Sequence, residues 1–430
     1  FDYDLTSVLR TSIPKFLILV SDELALPTGH PCVRFINLLI NINSMNRMYK
    51  FRIYPNKKQR KILNKHIQIC RLLYNQQLEN KIVWYHQKGV SLSYQNLNSM
   101  LLDLRVIYPE FREVHSQVLQ DVNNRIIKAF DKFFTEPDAG YPRFRGKHRY
   151  ASITYPQSGF KFISNKHIQV SKIGNLPIIL HRVPKGKIKT FTIKRTPTDK
   201  WFAVFSCELP DVDVQHHSNQ KVGIDVGLEN FATLSNGTSI PNPRYFVKSE
   251  HRLKFFQRKQ SKRAKGSVKR NKMRLKVAGL HERVANQRND FHHKISRFIA
   301  NNYGFVAIED LNIKGMVQNH RLAKHISDAG WSNFINMLCY KAESAGCRVD
   351  KVNPRHTSQR CICGKLVYKT LSDRIHFCTC GYVVHRDILA SNNILYGSST
   401  LGTRGSNASG VVPIGTAVNE EACFKTNVLV

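Results

Sequence analysis

The chain has 430 residues, 42% of them hydrophobic, enough for two or three domains with real cores, which excludes a wholly disordered protein. Its 66 Lys+Arg against 30 Asp+Glu give a formal net charge of +36, an excess that points to a polyanionic partner, nucleic acid first. A basic membrane-surface protein is the competitor, but no amphipathic or lipidation signal accompanies the charge. Phe16-Leu-Ile-Leu-Val20 is too short to span a bilayer.

Residues up to 46 carry little sustained periodicity. From 57 to 80, Ile62, Leu63, His66, Ile67, Cys70, Leu73 and Tyr74 recur at helical spacing, and further helical patterns cover 93–104 and 116–134. Tyr74, Phe130, Phe133 and Phe134 are expected in a helix-bundle core. Gln117, Gln120 and Asn123 form a polar face, either solvated or reading bases. Short β-like runs follow at 153–155, 160–163, 178–180, 187–194 and 201–208, punctuated by proline and glycine as in a barrel. Before them, Tyr141, Arg143, Phe144 and Arg145 interleave bases with aromatics, which suits a nucleic-acid backbone and stacked bases. A polar stretch over 211–220 with His216-His217 reads as a linker.

The second half opens on Lys221-Val-Gly-Ile-Asp-Val-Gly227, an apolar strand-forming run with Asp225 in its middle. A lone carboxylate in a buried strand is costly unless it is paired, hydrogen-bonded or bound to a cation, so Asp225 is there for chemistry. Asn236-Gly237 follows as a hairpin turn, and acid plus hairpin suggests the opening of a ribonuclease-H-like sheet. Next comes the most basic stretch, including Lys254, Arg258, Lys262, Arg263, Lys269 and Arg270. Apolar residues along one side make it a helical hairpin gripping a phosphate backbone, turning near Gly266-Ser267. The run 305–310 is a short apolar strand ending in Glu309 and Asp310; alternation turns Asp310 to the opposite face. Residues 331–346 read as a helix, 348–352 as a strand, and Asp328 and Asp350 as surface positions. Asp387 starts a helix-like segment. Asp225, an acid of the 309–310 pair and Asp387 can thus converge on one pair of hard cations such as Mg²⁺, about 4 Å apart, the arrangement that supports phosphodiester cleavage.

Four of the ten cysteines, Cys361, Cys363, Cys378 and Cys380, are bunched, which reads as metal binding in a reducing compartment. A zinc ribbon normally has two Cys-x-x-Cys knuckles followed by glycine. Here both are one residue short, although Gly364 and Gly381 are retained. Zn²⁺ held with strain is the expectation, with His376 as a substitute for a thiolate and a metal-free, collapsed ribbon as the alternative.

Taken together, Gly223-Ile-Asp-Val-Gly227, Ile308-Glu-Asp-Leu-Asn-Ile-Lys-Gly-Met316, Thr357-Ser-Gln-Arg-Cys361 and Arg386-Asp387 resemble the TnpB family of transposon-encoded, RNA-guided DNA nucleases, related to Fanzor proteins and type V CRISPR effectors. The resemblance implies an α+β multidomain chain. A wedge β-barrel (48–56 and 136–215) carries a helical recognition insertion (57–135). A ribonuclease-H-like RuvC α/β domain (218–356 and 385–397) then carries the zinc ribbon (357–384). Residues 1–47 become an extension upstream of a functional start at Met48, and 398–430 a disordered tail.

The same resemblance implies a guide RNA from the element's end and a double-stranded DNA target beside a short adjacent motif. It makes Asp225, Glu309 and Asp387 the Mg²⁺ ligands, and it implies no membrane. The compartment would be cytoplasm or nucleoid in a prokaryote and the nucleus in a eukaryote. One departure is Leu389, where the family usually has asparagine; loss of that polar neighbour is expected to loosen Asp387. A nuclease-impaired RNA-guided regulator and a DNA-joining transposase are the competing readings.

Overall fold

A computed structural model describes residues 45–209, 218–370 and 372–399. The expected extension apart from residues 45–47, which belong to the first strand, most of the linker and nearly all of the expected tail lie outside them. The chain divides into two compact units on either side of residue 213, the first also taking in residues 274–279.

The first unit is built on β1 (Met45–Ile53), β2 (Ser152–Tyr155), β3 (Phe160–Ser164), β4 (His167–Val170), β5 (Gly174–Ile179), β6 (Lys187–Arg195) and β7 (Trp201–Leu209). They form one sheet in the order β2-β6-β7-β1-β5-β4-β3. β1 starts at Met45, upstream of Met48, because its whole length pairs with β7, from Met45 opposite Leu209 to Ile53 opposite Trp201. β3 and β6 are not neighbours in the ladder, yet Phe160 and Phe191 rings lie 4.9 Å apart, and Phe162 lies 5.2 Å from Phe205 of β7. The sheet therefore curls around an aromatic core, a half-barrel with β2 and β3 as its edges.

Between β1 and β2 the chain makes three helices, α1 (Lys57–Lys88), α2 (Tyr94–Ile107) and α3 (Ser116–Thr135). Asn56 and Gln59 form a capping box at the start of α1, and Gly89 ends it in a left-handed conformation at φ +67°. Val118, Leu119, Val122, Ile126 and Phe130 give α3 its buried stripe. Two sequence expectations change here. Phe134 is 76% exposed, because it follows the last buried residue of the stripe, Phe130. Asn123 is fully buried and donates to Asn98, and Gln117 accepts from the amide and hydroxyl of Ser158; of the three polar candidates only Gln120 faces solvent.

In the second unit, β8 (Lys221–Val226), β9 (Asn230–Leu234), β10 (Ser239–Pro241), β11 (Phe305–Glu309) and β12 (Arg348–Val352) make a mixed sheet ordered β10-β9-β8-β11-β12. β8, β9 and β10 are antiparallel, turning at Gly237 (φ +84°), while β11 lies parallel to both β8 and β12. Parallel neighbours require crossovers. Helices α4 (Tyr245–Ser261) and α5 (Val268–Asn302) lead into β11, and α6 (Ile313–Met316), α7 (Ala323–Ala329) and α8 (Trp331–Glu343) lead from it to β12. β13 (Ile375–Phe377) and β14 (Val383–His385) form a small ribbon, and α9 (Arg386–Ser399) closes the unit.

Strand alternation sorts this sheet into two faces. Val222, Ile224, Val306 and Ile308 join Ile299, Phe334 and Leu338 in the main core. Ala307 and Val352 face the other way and pack against Ile394 of α9. Gly223, Asp225 and Glu309 fall in step with Ala307, so the acids share the face that α9 covers. Asp328 is not a surface residue: 7% exposed, it accepts from the Phe246 and Val247 amides in the first turn of α4 and pairs with Arg288 at 3.3 Å. Among the described residues no helix is long and apolar enough to cross a membrane.

Candidate active site

The parallel register of β11 on β8 runs from Phe305 opposite Lys221 to Ile308 opposite Ile224. One step further sets Glu309 beside Asp225 on adjacent strands about 5 Å apart. The third acid arrives through close backbone approach. A Cβ on Gly223 would stand 2.0 Å from the Ser391 carbonyl oxygen and 2.9 Å from the Leu395 amide, so only glycine lets α9 lie directly on β8. Asp387, in the first turn of α9, comes over Asp225, where the helix N-terminus favours a carboxylate.

Electrostatics record the convergence. Burial, then the negative charges of Glu309 and Asp387, hold the Asp225 carboxyl well above its ordinary range, with Arg386 opposing. Glu309, 7% exposed, is raised by burial and drawn back by a 2.5 Å hydrogen bond from the Thr357 hydroxyl. Arg386 lies 3.7 Å from Asp387 and donates to the Thr370 and Asp373 carbonyls. Three oxygen-only carboxylates, two of them acting on Asp225 by their charge, form a donor set suited to hard divalent cations. Among the described residues they do not meet the spacing of one shared ion, with all ligand atoms within 4.8 Å, that the cysteines do. Asp310 is exposed and pairs with Lys351 at 3.3 Å, away from the trio. Leu389 is fully buried, a core side chain of α9.

The Cys361, Cys363, Cys378 and Cys380 sulfurs all lie within 4.8 Å of one another, with Cys361–Cys380 and Cys363–Cys378 at 3.6 Å. Sulfurs about 2.3 Å from a tetrahedral Zn²⁺ stand about 3.8 Å apart, so the group fits that ion despite the short knuckles. Gly364 and Gly381 (φ +85° and +87°) close each knuckle by donating their amide N–H to the Cys361 and Cys378 carbonyls. His376 is fully buried with neither ring nitrogen bonded, and it stands outside the four-sulfur group.

Of the basic candidates, Tyr141 and Phe144 are 47% and 55% exposed, and Arg143 and Arg145 are also exposed. Their loop is pinned to α1: Asn75 bonds the Arg145 amide and carbonyl, and the Arg145 guanidinium lies 5.4 Å from the Tyr74 ring. Arg258, Lys262, Arg263 and Lys269 are exposed, and Lys254 pairs with Glu250 at 2.8 Å. Arg270 differs from its expected role. Its guanidinium donates to the Gln260 and Arg263 carbonyls at 3.1 and 2.7 Å and so holds the α4–α5 turn. Thr357, Asn393 and the seat at Gly223 were not singled out as site residues by pattern; only the Thr357-Ser-Gln spacing signalled that something was fixed there.

Such a chain, with three acids under one helix and a four-thiol ribbon beside them, has the make-up of a metal-site nucleic-acid protein, and comparisons with known proteins give its family. The OrfB_IS605 family, described as "Probable transposase", matches residues 204–320, and the Cas12f1-like TNB domain matches 331–394. A helix-turn-helix family, HTH_OrfB_IS605, matches 45–89, which here is β1 followed by one unbroken helix. A Streptomyces pristinaespiralis protein named "Putative RNA-guided DNA endonuclease" is 33% identical over 82% of this chain and 90% of its own length. The similarly named InsQ of Escherichia coli (strain K12) is 27% identical over 81% and 91%. An Acanthamoeba polyphaga mimivirus TnpB-like protein, L770, is 24% identical over 80% and 72%. A Cas12f1 chain solved with sgRNA and target DNA shares the fold, with TM-score 0.53 and 15% identity over 82% of this chain and 99% of that one. The chain belongs to the TnpB family.

Proposed function

We propose that this protein is an RNA-guided DNA endonuclease in which Asp225, Glu309 and Asp387 form a RuvC-like, ribonuclease-H-type cutting site. The observation that carries the reading is the meeting of three acids, separate in sequence, on the α9 face of one sheet. The wedge and recognition roles of the half-barrel and its helical insertion, with Tyr141, Arg143, Phe144 and Arg145 on nucleic acid, follow from family membership and from the exposed basic surface. Guide pairing would carry sequence specificity, and the protein itself would read a short adjacent motif.

The three carboxylates would hold two Mg²⁺ ions, which when bound activate a water and stabilise the leaving oxygen. This chain's residues supply the rest. β8 and β11 fix Asp225 and Glu309 side by side, α9 brings Asp387, Arg386 tempers their mutual repulsion, and Thr357 orients Glu309.

The test is cleavage of a plasmid library with randomised flanks beside a fixed target, by protein purified with the RNA of its own locus. Mg²⁺-dependent double-strand cuts with one enriched flank are expected. Guided binding without cuts would establish a regulator instead, and RNA-independent strand transfer a transposase. For the ribbon, purified protein is expected to carry one zinc per chain by emission spectrometry, with phenanthroline stripping lowering its melting temperature. Protein free of zinc with an unchanged melt would refute the assignment.

A further inference from the structure

The turn between β12 and the ribbon is built more tightly than a connection needs. His356 is left-handed at φ +64°, a conformation costing a side-chain-bearing residue about 1 kcal/mol and kept only where the surroundings enforce it. They do. The His356 ring bonds the Gln359 side chain at 2.8 Å, and the His356 carbonyl accepts from the Gln359 and Arg360 amides, both at 3.0 Å. From α9, the Asn393 amide donates to the Thr357 and Arg360 carbonyls, both at 2.7 Å. The knot holds the Thr357 hydroxyl where it donates to Oε1 of Glu309 at 2.5 Å, with the Pro354 carbonyl as a longer second acceptor at 3.3 Å.

We propose that Thr357 is the positioning residue of Glu309 and that Asn393 locks it, so that α9, which carries Asp387, also sets the geometry of the acid on β11. This rests on the reading of Glu309 as a cation ligand. A carboxylate set beside Asp225 turns away unless a donor fixes it, and a hydroxyl given to Oε1 leaves Oε2 to face the ion. Asn393 suits its place because two carbonyls need two donors, which neither leucine nor aspartate supplies. Arg360 directly precedes Cys361, so the first knuckle of the ribbon starts from the same knot.

The test uses full-length protein bound to RNA from its own locus, with Thr357→Val, Thr357→Ser, Asn393→Leu and Asn393→Asp. Two quantities are read: the Mg²⁺ concentration for half-maximal cutting, and hydrogen–deuterium exchange over residues 353–361. Thr357→Val is expected to need about 10-fold more Mg²⁺ with guided DNA binding unchanged, and Thr357→Ser to stay within about twofold of wild type. Both Asn393 variants are expected to speed exchange at the Gln359 and Arg360 amides by about 10-fold or more. A wild-type Mg²⁺ midpoint in Thr357→Val, a serine variant as impaired as valine, or unchanged exchange in the Asn393 variants overturns the proposal. If wild type does not cut at all, the nuclease reading fails by itself, and the exchange of the Asn393 variants still decides whether the knot exists.

Discussion

Gly223→Ala is expected to slow target cutting by about 100-fold or more while guided DNA binding survives. The added methyl would stand 2.0 Å from the Ser391 carbonyl oxygen, 2.9 Å from the Leu395 amide and 3.0 Å from the Leu395 Cβ. Two of these are backbone atoms of a helix, which cannot rotate aside, so α9 must lift by about 1 Å or more. Overpacking of that kind costs about 1–3 kcal/mol. The larger loss is functional, because the lifted helix carries Asp387 away from Asp225 and drags Asn393 off the Thr357 turn. Gly237→Ala is the control. Its Cβ meets nothing within 4 Å, though φ is +84°, so it should lose about 1 kcal/mol of stability and keep its cutting rate. Cleavage rates beside gel-shift binding decide the matter, and a Gly223→Ala protein that cuts at the wild-type rate would remove α9 seating from the account.

Much of this seat was legible in sequence only as its consequences. The acids stood out because a carboxylate in an apolar strand is costly, and the side chains opposite Gly223 could not be known without α9 in place. Local signals did well where local physics decides. The Asn236-Gly237 turn pairs β9 with β10, whereas α1 runs on to Lys88 and its Gly89 cap, past the last apolar periodicity. The four residues of β4, His-Ile-Gln-Val, alternate over too short a span to announce a strand. Charged residues were misjudged where tertiary contact assigns the role. Asp328 caps a helix from 82 residues away, Arg270 closes a turn within its own hairpin, and neither job leaves a mark on composition or spacing. The uncharged Asn393 went unread for the same reason, since it bonds two carbonyls 36 and 33 residues earlier.

Asp225→Asn is expected to abolish cutting and, in the absence of divalent cations, to make the protein more stable. Burial and the charges of Glu309 and Asp387 raise the Asp225 carboxyl well above its ordinary range. In the unfolded chain the same group ionises near pH 3.9. Between those two values the folded state holds a proton that the unfolded state has released, so stability falls as pH rises through the window. Once ionised, Asp225 adds its charge to two others that no cation offsets. An amide of the same shape carries neither the proton nor the charge, so the slope disappears and the variant gains on the order of 1 kcal/mol at neutral pH. Melting of the chelated protein at pH 5 and pH 8 reads this directly: wild type should lose more than Asp225→Asn between the two. Added Mg²⁺ should then raise the wild-type melting temperature and leave the variant nearly unmoved. Equal pH slopes in the two proteins would mean that Asp225 is better solvated than its setting between Glu309 and Asp387 implies. The acids would then be neighbours without the mutual strain that a cation relieves.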